Sequence, residues 1–350
     1  MANFPIAYRM AWLPRLISPK VSGNRTGFAP PAAQLIDPMP KTARLVFFGD
    51  LSAVANRSAP VLDPSLTALF ASADLVIGNC ESPVVKRTGL GSRLGTHHAM
   101  TREFLADALA AAGIEREALI LSLANNHVLD QGVAGFEETL DALDGLGIGV
   151  TGVTARGSAT MVSLDGLTIG FVAGTLWHNA SAKQFAGRVA LLREMAAGGW
   201  RAVSRVNADL VCALPHWDWE FRHMPRRETR WMARQFASRG AGLIVGGHAH
   251  VIQPVETLAD TVVAYSLGDF LGTAWARQTW PGRISALFVA DISTEDETRG
   301  QVAAYRMVPY MRMKEAGRER LVPLGQLEPG LKRKAETRVE RVLGGVPASI

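Results

Sequence analysis

Cysteine is nearly absent from this chain. Only Cys80 and Cys212 occur among 350 residues. Two thiols make neither a disulfide framework nor a cysteine metal cage. Each sits in or beside an apolar run and reads as a small buried hydrophobe. Long hydrophobic runs are missing as well. No stretch reaches the roughly 18 apolar residues that a membrane helix requires. The first twenty residues, MANFPIAYRMAWLPRLISPK, are partly apolar, but Arg9, Pro14 and Arg15 interrupt them. They lack the layout of a secretory signal peptide. The expectation is a soluble, cytoplasmic chain that starts in a frayed tail, with an amphipathic surface segment as the alternative. The sequence also lacks internal repeats and a concentrated block of one charge. Its net charge of +5 is spread along the chain, which excludes a dedicated nucleic-acid binder but suits an anionic small molecule or polymer.

What is present is ordinary globular composition, 48% hydrophobic and 20% charged. Residues 1–42 are rich in proline and small residues and read as a tail or strap. From Arg44 onward short apolar runs alternate with helical patterns. The strand-like runs lie at 44–49, 74–79, 118–124, 167–174, 209–214, 242–247 and 261–268, with late strands at 284–292 and 301–309. Helical spacing covers 101–112, 135–146 and 226–239. This alternation predicts an α/β fold whose sheet is covered on both faces. The expected main domain is 43–310. Residues 311–350 are expected to form a charged extension, in which 331–343 is a solvated helix.

The informative feature is where polar residues fall. The strand-like runs end in Asp50; in Asn79 and Glu81; in Asn125, Asn126 and His127, with Asp130 close behind; in His216 and then Glu220; in His248 and His250; and in Asp269. Ligands in open α/β sheets bind outside the carboxyl ends of the strands. The pattern therefore reads as one convergent site drawn from distant parts of the chain. Carboxylates, an amide oxygen and imidazoles without thiolates suit one or two divalent ions, Mn, Fe or Zn. The set exceeds what one four-coordinate zinc needs, and a pair of ions about 3.5–4 Å apart would use it all. His248 and His250 would lie on the same side of an extended strand end, so that one pair reaches both ions. Gly246 and Gly247 would let the backbone approach.

In sequence order, FFGD (47–50), IGNCESP (77–83), LANNHVLDQG (123–132), HWDWE (216–220), GGHAHVIQPVE (246–256) and AYSLGDF (264–270) resemble the CapA/PgsA-type capsule (poly-γ-glutamate) synthesis proteins. The resemblance implies a metallophosphatase-like, calcineurin-like phosphoesterase fold, a four-layer α/β/β/α sandwich. It implies that Asp50 ligates one metal, that Glu81 bridges with Asn79 beside it, and that Asn126 and His216 bind the second metal. His248 would serve the second ion and His250 the first. His127 would be the catalytic, non-ligating histidine. A metal-activated water would then attack a phosphorylated or polyanionic, capsule-related substrate, with capsule-assembly proteins as partners and envelope association implied. The alternative is a metal-binding accessory protein with little or no turnover, and amide hydrolysis at the same ions stays open. Three departures stand out. Ser52 occupies the place of a histidine in the wider pattern, Asp218 that of a glycine, and Gly247 that of a histidine.

Plainer readings exist for individual residues. Asp50 and Glu81 also fit strand-end caps, and His248 and His250 fit a solvated turn; their convergence favours ligands. Asn125 and Asp130 would hold their loop and orient His127. Trp217 and Trp219 suit packing. Glu220 is either a substrate contact or a structural partner. Asp269 is expected to fix its turn. His97, His98, His178 and His223 read as surface or core histidines, and Arg57 as an anion clamp or a solvated charge.

Overall fold

A computed structural model of the protein describes residues 3–23, 26–53, 56–89, 97–157, 159–195, 200, 208–272 and 278–346. The strands are β1 (Ala32–Gln34), β2 (Thr42–Leu51), β3 (Val61–Leu62), β4 (Leu75–Cys80), β5 (Leu119–Ser122), β6 (Gly149–Thr151), β7 (Thr160–Leu164) and β8 (Leu167–Thr175). They continue with β9 (Leu210–His216), β10 (Leu243–Val245), β11 (Val255–Leu258), β12 (Thr261–Ala264), β13 (Asp269–Leu271), β14 (Ile284–Ser293), β15 (Val302–Glu315) and β16 (Arg318–Pro323). They build two mixed sheets. One runs β3-β16-β15-β14-β2-β4-β5-β6, with β1 beside β15 and β13 beside β2; the other runs β11-β12-β10-β9-β8-β7.

Alternation along the strands explains the layering. Phe171, Cys212, Leu243 and Val262 of the second sheet share one core with the first sheet. Their immediate neighbours Val172, Ala213, Ile244 and Val263 pack instead with Ala233 and Phe236 of helix Arg227–Ser238. A period of two therefore puts one face inward and the other under a helix. In the first sheet Phe47 meets Phe288, while Phe48 meets Phe70 of helix Pro64–Ala71. The result is the α/β, helix–sheet–sheet–helix order expected of a metallophosphatase-like sandwich.

Pairing β2–β4–β5 and β8–β9–β10 in parallel sets their carboxyl ends at one edge. Helices are punctuated as their sequences suggest. Thr101 caps Arg102–Ala112 through the Phe104 amide, and Gly113 closes it in the left-handed region.

Three expectations are corrected. Helix Pro329–Leu343 is charged but not fully solvated, because Ala335, Val339, Val342 and Leu343 are buried. Residues 3–20 are not a frayed tail: helices Ile6–Met10 and Trp12–Ile17 pack onto the domain, with Tyr8 and Arg15 buried. The segment 246–250 is not an extended strand end. β10 stops at Val245, and His248 and His250 have φ of 81° and 53°. These two histidines sit in a turn in the left-handed region. Strand β15 passes through residue 310, and β16 continues the same sheet beyond it. Among the described residues, no helix is long and apolar enough to cross a membrane.

Candidate metal centre

Asp50, the penultimate residue of β2, is buried and pinned from three sides. Asn79 Nδ2 donates to its Oδ1 at 2.7 Å, and the His248 amide donates to its Oδ2 at 3.2 Å. His250 Nδ1 lies 3.3 Å from Oδ2. Burial works to raise Asp50, but the His250 hydrogen bond and the neighbouring His216 and His250 rings outweigh it and hold the carboxyl at about 2. Asp50 is therefore an anion that the fold has already prepared.

Glu81 lies one residue past β4. Its Oε1 is 3.8 Å from His216 Nε2 and 3.7 Å from His250 Nε2. Burial pushes this carboxyl up to about 8, with His250 opposing and Asp50 adding to the rise. Its Oε1 is buried without a hydrogen-bond partner, and so is His248 Nε2. A buried carboxyl oxygen and a buried imidazole nitrogen left unpaired among these side chains suit a cation as partner.

The remaining imidazoles arrive from the second sheet. His216 ends β9, its Nε2 2.8 Å from Asn126 Oδ1 and 3.2 Å from His248 Nδ1. Burial pushes His216 down to about 3 and His248 well below the usual histidine range. Both are therefore neutral, as metal ligands must be. Backbone room is provided by glycine: a Cβ at Gly247 would stand 3.0 Å from Asp50 Oδ1 and 3.2 Å from His216 Nδ1. Donor atoms of Asp50, His250 and Asp269 lie within 4.8 Å of one another, as do those of Glu220, His248 and His250. Each of Asp50, Glu81, Asn126, His216, His248 and His250 thus has a donor atom within 3.7 Å of another of the set.

The supporting residues are also placed. Asn125 donates to Asn79 Oδ1 at 3.1 Å and to the Cys80 carbonyl at 2.8 Å, tying the β5 loop to β4. Asp130 accepts from His127 Nδ1 at 2.7 Å and from the His98 amide at 2.8 Å. His127 is buried, which works to lower it, but Asp130 prevails and raises it above its ordinary value. Asp269 pairs with Asp50 in register. Its carboxylate joins His250 Nδ1 at 2.7 Å to the buried Arg312 guanidinium at 2.9 Å. Asp269 therefore orients a histidine as well as standing at its turn. Glu220 Oε1 lies 3.9 Å from His248 Nε2.

Sequence reasoning missed three residues. His98 stacks on His127, ring centres 3.6 Å apart and planes 6° off parallel, with Nδ1 3.4 Å from Ser52 Oγ. Arg312 and Trp12 come from segments that no motif marked. Met311–Arg312–Met313, a charge between two methionines in a strand, was the available signal for Arg312. Trp217 packs flat on Phe236, and Trp219 lies beneath the Arg15 and Arg226 guanidinium groups. Arg57 hydrogen-bonds through its amide to the Gly317 carbonyl. A cavity of about 660 Å³ opens from the cluster and is lined by Glu81, Asn126, His127, Glu220, His250 and Trp12, among others.

A family profile described as "Bacterial capsule synthesis protein PGA_cap" matches residues 45–274. The "PGA biosynthesis protein CapA" of Bacillus subtilis (strain 168) is 30% identical over 220 residues, covering 60% of this chain and 56% of that protein. The "Capsule biosynthesis protein CapA" of Bacillus anthracis is 29% identical over 225 residues, 59% of this chain and 52% of that one. This chain spans about half the length of the curated relatives it matches. Among solved structures, a putative 5'-nucleotidase from Staphylococcus aureus aligns at a TM-score of 0.45 and 14% identity, over 84% of this chain and 58% of that one. A phosphatase from Mycoplasma pneumoniae aligns at 0.43 and 12%, over 77% and 95%. Likenesses of that size say nothing about chemistry.

Proposed function

Since the chain belongs to the PGA_cap family of bacterial capsule synthesis proteins, we propose that it is a metal-dependent hydrolase. Its substrate would be a phosphorylated or polyanionic compound related to capsule or poly-γ-glutamate formation. The observation that carries this reading is the buried cluster in which Glu81 Oε1 and His248 Nε2 lack any hydrogen-bond partner. Asp50, His250 and Glu81 would hold one divalent cation, and Glu81, Asn126, His216 and His248 a second. Bound there, such ions would supply Lewis acidity and lower the pKa of a water towards ~7.

The chain's own groups do the rest. Asp269 and Arg312 keep His250 facing the cluster. Asn79 and Asn125 hold Asp50 and the β5 loop in place. His127 gives its Nδ1 proton to the hydrogen bond with Asp130, which favours the charged ring. An imidazolium at the cavity wall can then pass a proton to a leaving oxygen or nitrogen. A second reading, a metal-holding accessory without turnover, draws support from Ser52, where the resemblance leads one to expect a histidine.

The test is elemental analysis followed by Mn²⁺-dependent release from p-nitrophenyl phosphate. Activity should vanish in Asp50→Asn and His248→Ala while circular dichroism stays native. Full activity in both variants overturns the hydrolase reading. Bound metal with no turnover of phosphoesters or γ-glutamyl polymers selects the accessory reading.

A further inference from the structure

Residues 3–20 lie outside the matched family segment, yet they surround one carboxylate of the cavity wall. Trp12 Nε1 donates to Glu220 Oε2, and Arg15 Nε donates to the Glu220 carbonyl at 2.9 Å. The Arg15 guanidinium lies over the Tyr8 and Trp219 rings at 5.1 Å each. The buried phenol of Tyr8 is raised well above its ordinary value, by burial first and then by Glu220. Phe4 stacks on Trp177 at 4.8 Å and reaches within 5.9 Å of the His248 ring. Thr279 Oγ1 and Arg338 Nη1 hold the segment down through the carbonyls of Ile17 and Pro19, at 3.0 Å each. With one carboxylate oxygen held by Trp12 and the backbone carbonyl by Arg15, Glu220 presents its other oxygen in a constant direction, 3.9 Å from His248 Nε2. The cavity beside it, about 660 Å³, is far larger than a reacting phosphoryl group and matches a pocket for a whole small ligand. Trp12, Leu16 and Phe221 give it an apolar wall next to Glu220. Apolar wall and aligned acceptor together suit a group with a flat or apolar face and hydroxyl or amide N–H donors.

We propose that residues 3–17 form a working wall of the substrate site. Trp12 positions Glu220 to accept hydrogen bonds from a hydroxyl- or amide-bearing portion of the substrate, beyond the reacting bond. This inference rests on the hydrolase reading above. Trp12 is a positioning residue, acting through Glu220.

The experiment uses the full chain loaded with Mn²⁺ and two phosphate monoesters, α-D-glucose 1-phosphate, rich in donors, and methyl phosphate, which has none on its organic group. Trp12→Phe keeps a ring and removes the N–H; Glu220→Gln weakens the acceptor. Trp231→Phe, at a 60% exposed tryptophan on helix Arg227–Ser238, serves as control. Both site variants should raise KM for glucose 1-phosphate about tenfold, the size of one hydrogen bond to a charged group. In Trp12→Phe, KM for methyl phosphate, kcat and the Mn²⁺ dissociation constant should each move less than twofold, and the control should match wild type. Equal effects on both esters, or none, overturn the inference, as does weaker Mn²⁺ binding in Glu220→Gln, which would make Glu220 a ligand. If the wild type binds Mn²⁺ but turns over neither ester, the hydrolase reading fails separately. The same selectivity is then read in calorimetric dissociation constants for the two esters. A wild type that binds neither ester overturns the inference.

Discussion

Gly246 and Gly247 are neighbours, yet a methyl group added at each meets different atoms. At Gly246 a Cβ would stand 2.3 Å from the Tyr265 carbonyl and 2.2 Å from Trp217 Nε1, inside the second sheet. At Gly247 it would press on Asp50 and His216. Gly246→Ala should therefore destabilise the fold by about 1–3 kcal/mol, the range for overpacking. Gly247→Ala should keep a near-native melting temperature and lose Mn²⁺ affinity, read by calorimetry. The reverse pattern would contradict the geometry. His223 supplies a separate test. It is fully buried, its Nδ1 donates to the Ile252 carbonyl at 2.9 Å, and burial pushes it down to about 3. An unfolded histidine titrates near ~6.5. As pH falls below that value the unfolded chain gains a proton that the folded one refuses, so stability drops down to about pH 3. The slope is about 1.4 kcal/mol per pH unit. Between pH 7 and 5, wild type should lose about 2 kcal/mol more than His223→Gln, measured from guanidinium midpoints. Sequence alone placed both His223 and His98 among core or surface histidines, and both are buried, but it gave no sign of the contact that His98 makes. That residue's value lies in stacking on His127, a contact across 29 positions that no spacing rule announces.

At the scale of elements, β15 reaches the candidate metal centre through the pairing of Arg312 with Asp269. Arg312 donates to Ser285 Oγ, Gln278 Oε1 and the Gly282 carbonyl, and pairs with Asp269 and Glu319. Arg312→Met leaves two buried carboxylates without their cation, which costs about 3–5 kcal/mol. The variant should melt earlier than wild type and bind Mn²⁺ more weakly, because His250 loses its oriented partner. Unchanged affinity in a folded variant would show that Asp269 holds His250 unaided. The strands themselves were legible, since runs such as 44–49 and 209–214 are apolar enough to name. Their carboxyl-end polar residues were legible for the same reason. The turn at 246–250 was not, because two histidines with positive φ look like a strand continuation until the chain is bent. The helix Pro329–Leu343 misled in the opposite way. Its lysines, arginines and glutamates dominate the composition, while Ala335, Val339 and Val342, spaced four and three apart, form the stripe that packs.

For the whole molecule, the donors come from both sheets. Asp50 and Glu81 lie at or just past the ends of strands of one, and His216 and His248 at or just past the ends of strands of the other. An ion bound there would draw its donors from both halves of the sandwich and should stabilise the fold as a unit. Adding Mn²⁺ at 100 times its dissociation constant after removal by chelator should contribute about 2.7 kcal/mol, read as a higher melting temperature. A melting temperature indifferent to Mn²⁺ would mean that the cluster binds none. The same long separations govern when the centre can first exist during synthesis. Asp50 leaves the ribosome 262 positions ahead of Arg312, and at 5–20 residues per second that interval is roughly 13–50 s. For most of it the early carboxylates lack His216, His248 and His250, which follow Asp50 by 166, 198 and 200 positions, so ions captured by the nascent chain cannot be sorted by the finished geometry. Choice of metal belongs to the last moments of maturation, when the late strands dock.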